Sequence, residues 1–125
     1  MEMKFYKCKI CGKICAMVEE KNTPTICCGE EMELIVPNTT DAAVEKHVPV
    51  ITKNGNTITV SIGSVEHPMS AEHYIQWIAI QTKQGNQRKV LKPEDNPQAI
   101  FSILDGDDII KAYAYCNLHG LWSSK

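Results

Sequence analysis

The chain has 125 residues, 43% of them apolar, and 13 lysines and arginines stand against 15 aspartates and glutamates for a net charge of -2. This length allows one ordinary domain, or a domain of about 90 residues with a small stapled module attached. The balance of charge offers no basic footprint for nucleic acid or an anionic membrane surface. No apolar run approaches the ~18 residues of a membrane-spanning helix. Met1 to Lys7 lacks the apolar core of a signal peptide. The expectation is a cytoplasmic protein whose cysteines stay reduced, where clusters of them more often bind metal than form disulfides.

Five of the six cysteines fall between Cys8 and Cys28, in a stretch too poor in apolar residues to fold without a staple. Cys8-Lys9-Ile10-Cys11-Gly12 is a C-x-x-C knuckle, with a glycine that lets the backbone amides turn toward the sulfurs. Cys27-Cys28-Gly29 supplies two more thiolates side by side. Four thiolates around one ion make a tetrahedral site suited to zinc or a single iron. Adjacent cysteines should distort that tetrahedron, because their Cα atoms are only ~3.8 Å apart. Cys15 reads as a small buried apolar residue, the other four cysteines already filling the shell. The module is expected to occupy residues 1–36, closing on Leu34-Ile35-Val36, with Pro37-Asn38-Thr39-Thr40 as the linker into a second domain over 37–125.

From Val44 onward the pattern is one of short strands. A helical turn is predicted over Asp41 to Glu45 behind a Thr40 cap. Thr57 to Ile62 alternates polar and apolar after the turn dipeptide Asn54-Gly55, so Val48–Thr52 and Thr57–Val65 read as a hairpin. Tyr74–Thr82 is rich in aromatic and β-branched residues and runs into the turn Gln84-Gly85-Asn86. Arg88–Leu91, Ala99–Leu104 and Lys111–Cys116 follow, separated by loops rich in proline, glycine and aspartate. Six or seven such strands predict an antiparallel β-sandwich.

The chain has four histidines, His47, His67, His73 and His119, and one cysteine beyond Cys28, Cys116. Taken singly, each histidine reads as a surface or satisfied core residue. Together they stand at strand ends or in loops beside proline, glycine or acidic residues, where ligands distant in sequence can meet. Convergence of all five would make a site of four imidazoles and one thiolate, suited to a borderline ion such as iron(II). Five ligands leave a sixth position open, which marks a reactive site. A thiolate opposite it pushes electron density toward whatever binds, which points to reduction of a small oxygen ligand. The alternatives are a zinc ribbon tied to a non-catalytic immunoglobulin-like interaction domain, which leaves the histidines without a purpose, and a non-haem iron peroxidase or oxygenase. The 2-His-1-carboxylate pattern of the oxygenases fits less well.

Cys8-x-x-Cys11 with Cys27-Cys28, then Glu45-Lys46-His47-Val48-Pro49, His67-Pro68-Met69, His73-Tyr74-Ile75-Gln76-Trp77-Ile78 and Cys116-Asn117-Leu118-His119-Gly120-x-Trp122 closely resemble, in this order and over essentially the entire chain, the desulfoferrodoxins, two-iron superoxide reductases. The resemblance implies a desulforedoxin-like module holding a rubredoxin-type iron on Cys8, Cys11, Cys27 and Cys28. It also implies an immunoglobulin-like sandwich holding the catalytic iron on His47, His67, His73 and His119 with Cys116 axial. It further implies that Glu45 can occupy the open position of the oxidised iron, that Lys46 attracts and orients superoxide, that the protein is a homodimer, and that a rubredoxin-like donor re-reduces it. A cysteine at position 15 is not part of that family pattern.

Overall fold

A computed structural model describes residues 2–40 and 42–124, and the chain divides into two compact units, Met1–Val36 and Pro37–Lys125. The first unit is built from strands too short to announce themselves by alternation. Strands β1 (Phe5–Lys7), β2 (Ile14–Ala16) and β5 (Glu33–Leu34) form an antiparallel sheet in the order β2-β1-β5, and β3 (Ile26–Cys27) and β4 (Glu30–Glu31) form a hairpin. Among its described residues only Phe5, Cys8 and Met32 are buried apolar side chains. Three such residues, at ~1.5–3 kcal/mol each, fall far short of the entropy of ordering some 35 residues. A cross-link through the cysteines is therefore part of what folds this unit. Cys15 lies on β2 opposite Tyr6, half-buried.

The second unit is a sandwich of two antiparallel sheets. β6 (Pro49–Asn54), β7 (Thr57–Ile62) and β10 (Gln98–Ser102) make one in the order β10-β7-β6, while β8 (Ile75–Thr82), β9 (Asn86–Val90), β11 (Ile109–Cys116) and β12 (Gly120–Ser123) make the other in the order β12-β11-β8-β9. The fifth strand returning to pair with the second is an immunoglobulin-like Greek-key arrangement. Alternation selects the core: Ile58, Val60 and Ile62 of β7 and Ala99 and Phe101 of β10 meet Ile78 and Ile80 of β8 and Ala112, Ala114 and Cys116 of β11, all buried. The outer edge of β10 is covered by side chains of β9, where Gln87 Nε2 donates to the Ser102 carbonyl at 2.9 Å and Lys89 Nζ donates to that of Ile100. That blunts an edge otherwise open to further pairing.

Several local expectations shift. The hairpin turn sits on Gly55-Asn56, with Gly55 at φ +62 in the first central position, as a type II′ turn requires. β7 stops at Ile62 because Gly63 turns left-handed at φ +79. The helical turn, α1, is Val44–His47 and not Asp41–Glu45; Asp41 itself lies outside the described residues. Its N-cap is Ala43, with no side-chain cap bond, so Thr40 does not start it. Its end is dictated by Pro49, which holds the preceding Val48 extended at φ -68, ψ 122. The Pro37–Thr40 stretch is strapped down within the second unit. Asn38, at φ +62, donates its N–H to Leu121 O at 3.0 Å and accepts from Ser123 N–H on Oδ1 at 3.0 Å, adding a rung beside β12.

Candidate metal centres

In the first unit, Cys8, Cys11, Cys27 and Cys28 bring their sulfurs within 4.8 Å of one another, without Cys15. Cys11 Sγ is 3.6 Å from Cys27 Sγ, which is 3.9 Å from Cys28 Sγ. Those separations are too long for disulfides and match the ~3.8 Å edge of a tetrahedron whose metal–sulfur bonds are ~2.3 Å. The knuckle aims amides at sulfur, Ile10 N–H at 3.4 Å and Cys11 N–H at 3.5 Å from Cys8 Sγ, while Gly12 at φ +80 closes the turn. The expected distortion from adjacent cysteines is met by backbone conformation: Cys28 at φ 53 and Gly29 at φ 75 form the left-handed pair of a two-residue turn between β3 and β4. A left-handed cysteine costs ~1–2 kcal/mol, borne where it turns two neighbouring thiols onto one point. The amide of Cys11, then that of Ile10, holds the Cys8 thiol down at about 6 in spite of its burial, whereas sharing protons with Cys11 and Cys8 pushes Cys27 up to about 12. Four sulfurs gathered at one point make the donor set of a tetrahedral metal site.

In the second unit, His47, His67, His73 and Cys116 place one donor atom each within 4.8 Å of the others. His119 completes the set from the turn between β11 and β12, its Nδ1 3.2 Å from His47 Nε2 and 3.9 Å from Cys116 Sγ. The four rings run around a square. Successive centroids, His47–His67, His67–His73, His73–His119 and His119–His47, are 4.6, 4.7, 5.1 and 4.9 Å apart and edge-on, whereas the diagonal His47–His73 is 6.4 Å.

The hydrogen bonds show what the square is for. His47 Nδ1 is 2.7 Å from the Ala43 carbonyl and His67 Nδ1 is 2.6 Å from that of Pro68. A carbonyl only accepts, so both Nδ1 atoms carry the proton and both Nε2 atoms present lone pairs. Yet those two Nε2 atoms face each other at 3.1 Å, a repulsive arrangement unless a cation lies between them. Nitrogens bound at ~2.1 Å and at right angles would stand ~3 Å apart. His73 Nε2 is buried without any hydrogen-bond partner, the orphaned atom a fourth ligand would be. The chemistry of this donor set, four borderline nitrogens and one soft sulfur, fits iron.

Local structure explains how each ligand arrives. α1 buries His47 and leaves Glu45 and Lys46 exposed, and the Lys46 charge is felt at both His47 and His73. The turn after β7 holds α1 in place. Val65 N–H donates to Glu45 O at 2.9 Å, Ser64 Oγ donates to it at 3.4 Å, and Gly63 N–H donates to Val48 O at 3.2 Å. Trp122 lies stacked on His47, centroids 4.9 Å apart at 25°, and its indole N–H donates to His119 O at 3.1 Å. Of the predicted residues, the structure gathers four cysteines at one point and four histidines with Cys116 at another. Reading the sequence missed the supports: Gly63, whose only signal is a glycine at a strand end, Trp122, noted in a motif but given no role, and the carbonyls of Ala43 and Pro68, which carry no sequence signal.

Burial lowers His67 to about 4 from its ordinary 6.5, lowers His47 and His73 in the same sense, and raises the Cys116 thiol. Below pH 6.5 the unfolded chain takes up protons that the folded imidazoles refuse, so the metal-free protein should lose stability as pH falls from about 6.5 toward 4. His67 alone accounts for about 3 kcal/mol. Urea unfolding of the metal-free protein at pH 7.5 and pH 4.5 measures this, and equal midpoints would contradict it.

The comparisons with known proteins cover both units. The desulfoferrodoxin family profile matches residues 39–125, and that of the desulfoferrodoxin N-terminal domain matches residues 1–35. A desulfoferrodoxin homolog of Archaeoglobus fulgidus is 47% identical over 98% of this chain and 96% of its own length. The superoxide reductase structure from Treponema pallidum superposes with a TM-score of 0.85 at 36% identity over 100% of both chains. A one-iron superoxide reductase from Giardia intestinalis matches 64% of this chain and 95% of its own, with a TM-score of 0.54 at 36% identity.

Proposed function

Because the chain belongs to the desulfoferrodoxin family, we propose that it is a superoxide reductase, with the His-Cys centre of the sandwich as the reactive iron. The carrying observation is the square of imidazoles beside a buried thiol, with two Nε2 lone pairs 3.1 Å apart and His73 Nε2 orphaned. Two irons are the cofactors, one for the four thiols and one for the imidazole set. His47, His67, His73, His119 and Cys116 would hold the second, which would supply a redox-active centre for a small oxygen substrate. Bound iron(II) supplies the single electron, so that superoxide, one electron and two protons give hydrogen peroxide and no oxygen.

The protein's own residues do the rest. Superoxide is an anion and the chain is net negative, so local positive charge must draw it in; Lys46, exposed on α1 beside His47 and His73, is that charge. Water delivers the protons, and the Lys46 ammonium organises it. Glu45, next on the same turn and exposed, would be the carboxylate that competes with product at the site. The indole of Trp122 and the core beneath Cys116 keep bulk water from the ligands. Residues 1–36 act as a desulforedoxin-like module that stabilises the assembly and joins two chains in a homodimer. An external rubredoxin-like protein returns the electron, and no helix of the described residues is long and apolar enough to cross a membrane.

The test is metal analysis with a visible spectrum before and after superoxide meets the reduced protein. Two irons per chain and a thiolate-to-iron band appearing as peroxide forms without oxygen support the reading; one zinc and no colour in iron-replete protein would refute it. Lys46→Ala should slow the bimolecular step with superoxide about tenfold and flatten its salt dependence. Pulse radiolysis at two ionic strengths decides, and an unchanged rate removes Lys46 from the steering role.

A further inference from the structure

We propose that Asn117 is the positioning residue for His73, tying that ligand to the strand that carries Cys116. The inference rests on the iron reading of this site. His73 stands in the loop before β8, and the β8–β11 ladder ends at the pair Cys116 and Ile75, after a bulge between Tyr115 and Cys116. Beyond that rung, Asn117 N–H donates to Tyr74 O at 3.2 Å. Its side chain then reaches further: Oδ1 accepts from Tyr74 N–H at 3.0 Å, and Nδ2 donates to Glu72 O at 3.0 Å. The carboxamide thus presents one donor and one acceptor, as a peptide group does, and brackets residue 73 on both sides. It supplies the rung that the bulge takes away.

Such a clamp answers a need of His73 that His47 and His67 do not share. The rings of His47 and His67 are each fixed through Nδ1 to a carbonyl, and the backbone of His119 is fixed through its carbonyl by Trp122. The buried Nε2 of His73 has no partner. Its loop closes on itself through Ser70, whose N–H donates to His73 O at 3.0 Å and whose Oγ accepts from His73 N–H at 3.2 Å. Closure of that loop does not relate it to Cys116. The three bonds of Asn117, one from its backbone N–H and two through its carboxamide, do, which makes the residue after Cys116 the gauge between that sulfur and one corner of the square.

Cobalt(II) added to the metal-free full chain provides the test, because its ligand-field spectrum reports coordination without turnover. Bands of the four-cysteine site are common to all variants and cancel in difference spectra. Asn117→Ala should weaken cobalt affinity at the histidine site about 10–100-fold, as loss of a ligand's support does, and shift the spectrum toward that of His73→Ala. If Asn117 acts through His73, N117A should cause little further loss in the H73A background. Asn117→Asp, which keeps the acceptor and loses the donor, should move the spectrum in the same direction and serves if N117A does not fold. A wild-type spectrum in both variants, or an equal loss with and without His73, would overturn the proposal. Absence in the wild-type protein of any band that Cys116→Ser removes would instead overturn the iron reading, and this inference with it.

Discussion

Cys116→Ser should abolish superoxide reduction and the visible band of the oxidised sandwich site, with activity falling by more than the ~10–100-fold that follows loss of a ligand's neighbour. Cys116 is fully buried in the core cluster, and that burial raises its thiol. Without a cation beside it the sulfur therefore stays protonated and inert. With iron it becomes the one soft, strongly donating ligand, while the four imidazoles are neutral. A serine hydroxyl is nearly the same size and can accept from the amides of His119 and Leu118 that face the sulfur, but it does not ionise under these conditions and offers a metal no comparable donation. The purified variant should keep the iron of the four-cysteine site, which serves as the internal standard. Substantial retained activity in C116S, measured by peroxide yield per superoxide consumed, would mean that the reaction does not depend on the Cys116 thiolate.

Gly63→Ala should be nearly as damaging although Gly63 touches no metal. A Cβ there would stand 2.4 Å from Val65 O, 2.6 Å from Glu45 O and 2.7 Å from Lys46 C, all backbone atoms, on a residue at φ +79. The turn after β7 and α1 would have to separate, taking with them the segment that carries Glu45, Lys46 and His47. The left-handed conformation alone costs an alanine ~1–2 kcal/mol, and with the clash the total should exceed about 3 kcal/mol. Gly55 is the control, because it shares the positive φ, at +62, but has nothing within 4 Å of its added Cβ. Gly55→Ala should cost only the conformational part and leave iron content untouched. Equal losses in G63A and G55A, by denaturant unfolding and iron analysis, would show that close approach at Gly63 does not matter.

Much of this protein is legible along the chain because its periodicities and donor types are local. Alternation in Thr57–Ile62 announces β7, and the spacing Cys8-x-x-Cys11 announces a knuckle that needs only three residues to form. The donors are legible for a different reason: with four histidines and one cysteine beyond Cys28, few alternatives compete. Less of the first unit could be read, since two- and three-residue strands have no period. They pair because Cys28-Gly29 and Gly12 turn the chain back, and the thiols hold it there. The helical turn was displaced to Val44–His47 because its position is governed by contacts distant in sequence: Pro49 ends it, and the turn at Gly63 to Val65 binds its carbonyls.

What the sequence by itself determined is the class, an all-β chain with a four-thiol module and a second set of four imidazoles and a thiol, since residue type and order suffice for that. The tertiary structure decided which atoms act. It selects Nε2 of His47 and His67 by giving their Nδ1 protons to Ala43 and Pro68, turns His119 in by Nδ1, leaves His73 Nε2 without a partner, and sets the four rings around a square. Tautomer and angle depend on carbonyls and close approaches brought together from distant parts of the chain. Those partners have no spacing that a linear reading can see.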